Sequence, residues 1–196
     1  RSPEPGEPAV DLPGGGVAPL EQVEWVADEL RRVGQALADA AGCDLTEARL
    51  AASIRQANAV RACLRELREL VFTAARCPMP ALEMLIAEML SIHYCSDEHE
   101  SLAVLKDLLA EARRRVDADC GVLEPDAARL FWVNPVADLR VMNLIEDVGG
   151  RICGTDYMIL HALDPIPENT DPWLSLARCA LAGIPLTLGD EGLAIV

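Results

Sequence analysis

Residues 129–157 hold the pattern of a strand, a helix and a second strand in one short stretch. Leu130, Phe131, Trp132 and Val133 form an apolar run of strand formers, stopped by Asn134-Pro135. Val136, Leu139, Val141, Met142, Leu144, Ile145 and Val148 then recur at helical spacing. The spacing predicts a helix beginning at Pro135 or Val136 and stopped by Gly149-Gly150. Arg151-Ile152-Cys153 can extend again. Two strands joined by a helix must be parallel, with a right-handed crossover. Ligands of such sheets bind just past the carboxyl ends of the strands. Here those ends are Asn134-Pro135 and Cys153-Gly154-Thr155-Asp156-Tyr157. Two strands alone make no stable sheet, so further strands are expected from other sequence or from a partner.

Charge narrows the choice of partners. The chain of 196 residues carries 17 basic and 32 acidic residues, a net charge of −15. Nucleic acid and anionic membranes both call for a basic surface, so neither is expected as a partner. No apolar run approaches the roughly 20 residues that span a bilayer, and the Pro-, Gly- and Glu-rich start is no signal peptide. Seven cysteines, at 43, 63, 77, 95, 120, 153 and 179, include no Cys-x-x-Cys pair. Several lie inside helical patterns, as buried free thiols do, and a reducing cytoplasm is the expected setting. The chain begins at Arg1 and closes on Gly192-Leu-Ala-Ile-Val196, without a polar tail. It is expected to be a piece of a longer protein.

Ahead of the strand-helix-strand unit the pattern is helical. Residues 1–19 hold five Pro and four Gly and are expected to form a flexible lead-in. Leu20, Val23, Val26, Leu30, Val33 and Leu37 predict an amphipathic helix ending at Gly42. Thr46 is placed to cap a second helix, with Leu45 and Leu50 spaced as a hydrophobic staple. Its apolar stripe is Leu50, Ile54, Ala57, Val60, Leu64, Leu67 and Val71; Arg55, Arg61, Arg65, Glu66, Arg68 and Glu69 are assigned to the opposite face. This helix ends before Cys77-Pro78-Met79-Pro80. Two more helices are expected over about 81–92 and 97–116, and a short one over 173–182. The expected fold class is α/β: four helices over 20–116, then a partial α/β lobe over 117–196.

Several residues carry possible chemistry, each with a plainer reading beside it. Cys153, with Asp156 and Tyr157, can line a pocket at a strand end; Cys153 can equally be a small hydrophobe closing the strand. Asn134 can hydrogen-bond a carbonyl-bearing ligand or cofactor, or simply serve the turn before Pro135. The segment from His93 to Glu100 concentrates possible metal ligands but matches no zinc spacing, which favours a solvated helix junction. Cys77 has only Arg76 as a basic neighbour in sequence, which favours a structural turn over a redox thiol. Arg113-Arg114-Arg115 can contact a phosphate, or complement a helix dipole. No Ser/His/Asp order, P-loop or complete dinucleotide fingerprint is present.

Three stretches together resemble the 2-hydroxyacyl-CoA dehydratase D-component family, which includes the benzoyl-CoA reductase subunits. They are Leu45-Thr46-Glu47-Ala48-Arg49-Leu50 with Ile54 to Arg61, then Cys77-Pro78-Met79-Pro80-Ala81-Leu82-Glu83, then Leu144-Ile145-Glu146-Asp147-x-Gly149-Gly150 with Cys153-Gly154. The resemblance covers roughly residues 20–182. It implies flavodoxin-like lobes joined by helices, so the partial lobe here would be an incomplete flavodoxin-like parallel α/β lobe. It also implies a [4Fe-4S] cluster held by three cysteines, an acyl-CoA substrate, a homologous second subunit in a heterodimer, and an activator protein driven by ATP. In that chemistry a low-potential electron turns the thioester carbonyl into a ketyl radical, and the hydroxyl group leaves. None of the seven cysteines matches a cluster ligand of the family, so no cluster is expected in this stretch.

The resulting expectation is part of an iron-sulfur lyase that dehydrates a 2-hydroxyacyl-CoA to the 2-enoyl-CoA. A benzoyl-CoA reductase-type subunit is the near alternative. A non-catalytic module that binds a partner subunit is the alternative of another class. The expected substrate-binding residues are Asn134, Cys153, Asp156 and Tyr157; no metal ligands are assigned, and the catalytic residues are not identified.

Overall fold

The computed structural model describes residues 2–90, 97–133, 138–156 and 163–182. It contains helices and strands with a small parallel sheet, an α/β mixture. The chain divides into two compact units, Arg1–Arg55 with Asp164–Val196, and Gln56–Leu163.

The first unit begins with a hairpin. Strand β1 (Ala9–Asp11) pairs antiparallel with β2 (Val17–Pro19). The turn between them contains Gly14, Gly15 and Gly16, all at positive φ, which a glycine adopts without a Cβ clash. The hairpin lies inside the segment expected as a lead-in, and it buries Leu12 and Ala18. A proline- and glycine-rich composition here marks tight turns as much as flexibility.

Helix α1 (Leu20–Ala41) follows at once and stops at Gly42, which takes the left-handed conformation. Gly42 N–H donates to the Asp39 carbonyl and Cys43 N–H to Ala38, the paired bonds of a Schellman stop. The expected face of α1 is kept over its first half, where Val26 and Leu30 pack against the core, and lost over its second. Val23, Ala27 and Ala38 are buried, whereas Val33 and Leu37 are exposed. The reason lies in α6 (Pro172–Ala182). The Trp173 ring packs so closely that a Cβ built on Gly34 would lie 2.6 Å from it. Gly34 therefore meets the indole, while Val33 and Leu37 are turned away. Trp173, Ala177 and Leu181 complete this core with Leu12, Ala18, Val23 and Ala27.

Helix α2 (Glu47–Thr73) starts as expected. The Thr46 hydroxyl accepts the Arg49 N–H at 3.3 Å, a side-chain cap. Leu45 and Leu50 both pack against the core of the first unit. Further along, Val60, Leu64, Leu67 and Val71 enter the core of the second unit. They meet Met84 of α3 (Ala81–Met89) and Leu105, Leu109 and Ala112 of α4 (Glu98–Asp117). Asp97 caps α4 by accepting Glu100 N–H at 2.9 Å. At the other end of α4, Asp119 stands at φ 50 where a glycine is usual.

Strand β3 (Ala128–Val133), helix α5 (Arg140–Asp147) and strand β4 (Gly150–Asp156) form the crossover unit. The two strands are parallel, as their connection by a helix requires. The ladder runs Ala128 to Gly150, Arg129 to Arg151 and Leu130 to Ile152, then shifts: Trp132 faces Thr155 and Val133 faces Asp156. Cys153 and Gly154 thus oppose the single residue Phe131, a β-bulge. Helix α5 begins at Arg140; the expected start at Pro135 or Val136 lies outside the described residues, Asp138 is not helical and Leu139 lies in a turn. Met142 and Ile152 join Ala81 and Leu85 in a second small core of this unit.

Candidate functional site

The parallel ladder sends both strands toward the same rim, where Val133 and Asp156 are the last paired residues. Of the residues expected there, Asn134 and Tyr157 lie outside the described residues. Asp156 ends β4 opposite Val133. Cys153 is a half-buried free thiol on the bulge. The structure thus places Cys153 and Asp156 on one strand, three residues apart, at the rim end of β4.

Helix α5 contributes less to this rim than its position promises. Its first amide is already engaged: Arg140 N–H donates to Asp138 Oδ1 at 3.0 Å. The Arg140 guanidinium also grips both oxygens of Asp138. These bonds, the side-chain one first, hold the Asp138 carboxyl below the usual carboxylate range. A carboxylate seated at the start of α5 answers its positive end internally.

Two arginines fix β4. Arg151 is buried and donates to the carbonyls of Val71, Ala74 and Ala75 at 3.0, 2.9 and 3.1 Å. These are acceptors at the end of α2, where helical partners run out and the dipole is negative. The second arginine works in the opposite sense, from α2 toward β4. Arg68 donates through Nη1 to Thr155 Oγ1 at 2.9 Å and through Nη2 to the Thr155 carbonyl at 3.4 Å. It is paired with Glu88 of α3, which is 1 % exposed. Its Cζ lies 4.9 Å from the centre of the Phe72 ring.

Arg68, Glu88 and Thr155 were not among the residues expected at the site. Arg68 had been assigned to the solvent face of its helix. The available signal was spacing: Arg68 stands four residues after Leu64 and three before Val71, in line with the buried stripe. Glu88 likewise falls three after Leu85 on the apolar face of α3.

The remaining candidates resolve as structure. Cys77 is buried, its Sγ bonded to the Met79 carbonyl at 3.0 Å, and burial pushes its thiol up. Cys63 is raised by burial as well. A thiol raised in this way is a poor nucleophile. Glu146 of α5 accepts Ala81 N–H at 2.8 Å, capping α3, whose preceding Pro80 offers no side-chain cap. Arg113 pairs with Glu66, and Arg114 and Arg115 with Glu111. Arg115 also reaches the Pro78 carbonyl at 2.9 Å. Of the segment 93–100, residues 93–96 lie outside the described residues, and Asp97 serves as a helix cap. Among the described residues, no group of three or more His, Cys, Asp or Glu side chains could hold a metal ion. No described helix is long and apolar enough to cross a membrane.

A family model described as 2-hydroxyglutaryl-CoA dehydratase, D-component, matches residues 9–191. No curated protein matches the sequence.

Proposed function

The chain belongs to the 2-hydroxyglutaryl-CoA dehydratase D-component family, and from that premise we propose that it supplies an acyl-CoA-facing rim to a 2-hydroxyacyl-CoA dehydratase. The observation that carries this reading is the parallel pairing of β3 and β4, which turns both carboxyl ends to one side. That is where open α/β sheets bind their ligands. In this reading the partial lobe is an incomplete flavodoxin-like one, and a homologous second subunit and an ATP-driven activator are the partners.

In this proposal Asn134, Cys153, Asp156 and Tyr157 contact the acyl thioester. The protein's own contribution is placement and exclusion of water. The bulge at Cys153–Gly154 brings the half-buried thiol to the strand end, and buried Arg151 with half-buried Arg68 keeps the strand from shifting. The [4Fe-4S] cluster that the family implies does not fit the described cysteines. Among the described residues, these thiols belong to no group of three or more His, Cys, Asp or Glu side chains that could hold a metal ion. No step is therefore routed through a cluster on these residues.

The test is turnover of a 2-hydroxyacyl-CoA by the complete natural polypeptide with its second subunit. Asn134→Ala and Asp156→Ala should each lower kcat/KM by about tenfold, the size of one lost polar contact of about 1.4 kcal/mol, with the melting temperature retained. Full activity in both variants would remove the rim from the site. Reduction of an aromatic ring in place of dehydration would select the benzoyl-CoA reductase-type reading, and absence of any acyl-CoA binding the partner-binding module.

A further inference from the structure

We propose that Arg68, paired with Glu88, is a positioning residue that fixes the carboxyl end of β4 for the acyl thioester; this rests on the functional reading above. Three observations combine. The first is register. Ile152 faces Leu130 and Thr155 faces Trp132, so the extra residue in the bulge sets Thr155 on the same side of the ladder as Ile152. An unbroken strand would place Gly154 there, with no side chain to hold.

The second is the fork. Arg68 engages both acceptors of one residue, the Oγ1 and the carbonyl oxygen of Thr155. Fixing both orients the peptide that leads into Asp156, the last residue of β4. A planar guanidinium can hold two acceptors at once, and an ammonium of similar length cannot match that geometry. The third is burial. Thr155 and Glu88 are buried, and the guanidinium is closed in by the Phe72 ring and the Glu88 carboxylate. A fork anchored on three sides transmits little slack. Arg151 holds the beginning of the same strand, so β4 is fixed at the end nearest the rim by Arg68.

Two variants test this in the complete natural polypeptide assembled with its second subunit. Arg68→Lys keeps the charge and removes the fork. Thr155→Val keeps the ion pair and removes one acceptor, so it decides the matter if Arg68→Lys does not fold. Two readouts are taken together: steady-state turnover of a 2-hydroxyacyl-CoA, and amide hydrogen exchange by mass spectrometry. The expected result is a drop in kcat of about tenfold or more with KM changed less than about threefold, because the remote CoA portion still binds. Exchange should rise at residues 153–156 and stay unchanged in α4. Exchange unaltered at 153–156 in both variants overturns the proposal. So does unaltered kcat in an active enzyme, because the brace would then be structural only. If the unsubstituted assembly turns over no 2-hydroxyacyl-CoA, the functional reading fails by itself. The exchange data then judge the fixing of β4 separately.

Discussion

Strand β4 leaves Arg151 and Ile152 only 4 % and 1 % exposed, while its ladder partner β3 leaves Phe131 and Val133 66 % and 64 % exposed. The two strands share the same hydrogen-bonded ladder, so pairing does not explain the difference. Neighbours do. β4 is tied to α2 and α3 through buried Arg151, half-buried Arg68 and apolar contacts. Among the described residues, β3 meets that core mainly through Trp132. Yet β3 is the more apolar strand, with Leu130, Phe131, Trp132 and Val133 in a row. Apolar residues on both faces are the mark of a strand covered on both sides. Leu144 of α5 and Val148 just after it are exposed too. Burial in this unit follows the contacts that neighbouring elements offer, and the hydrophobicity of a strand only says what it would accept.

The largest effect should come from cutting the tie at the start of β4. Arg151→Met removes three charge-assisted bonds and strands carbonyls at the end of α2. A loss of about 3 kcal/mol or more is expected in denaturant unfolding. A loss below about 1 kcal/mol would mean that β4 is held by packing alone, and the contrast with β3 would lose its cause.

Two glycines on β4 sharpen the same contrast. A Cβ on Gly150 would lie 2.6 Å from Ile145 Cγ2 and 2.9 Å from the Ile145 carbonyl oxygen. The backbone cannot yield there, so Gly150→Ala should cost about 1–3 kcal/mol. A Cβ on Gly154 would lie 2.7 Å from the Phe131 ring. That ring is exposed and free to swing away, so Gly154→Ala should cost under about 1 kcal/mol. Equal costs in thermal melts would show that Phe131 is held as firmly as the buried side.

The smallest effect concerns pH. Burial, opposed in part by the bond from Ala81 N–H, raises the Glu146 carboxyl above its ordinary value. The folded state therefore favours the protonated form more than the unfolded chain does. The stability this gives is complete below the ordinary carboxylate value and is lost as pH rises through the folded value. Glu146→Gln should flatten that part of the stability–pH curve. Glu111 provides the opposite sign: bonds from Arg114 and Arg115 bring it to about 2, so its contribution is lost only as pH falls toward that value. Identical curves for Glu146→Gln and the unsubstituted protein above pH 4 would refute the assignment.

Helix positions were legible because they are written in local codes. Thr46 and Gly42 announce a cap and a stop, and the stripe from Ile54 to Val71 is buried as read. The parallel pair follows from connectivity alone. What sequence hides is tertiary preference. Only the second half of α1 was misjudged, Val33 and Leu37 being exposed, because Trp173, far along the chain, packs on Gly34. The bulge at Cys153–Gly154 breaks the two-residue alternation on which strand reading depends. Arg68 and Glu88 were overlooked because charged residues on a stripe read as solvent-facing until a buried partner is seen. The local capping bond of α5 falls to Asp138, a residue that the periodicity of Val136 and Leu139 passes over.

The close fit of Gly34 under Trp173 also sets an order of events during synthesis. The two residues belong to one compact unit, yet all of Gln56–Leu163 is made between them. At about 5–20 residues per second, a ribosome needs on the order of ten seconds to cross that interval. Throughout it, α1 has emerged without the indole that covers Gly34. The contiguous second unit has all its parts available earlier, so it should acquire protease resistance on the nascent chain before the first unit does.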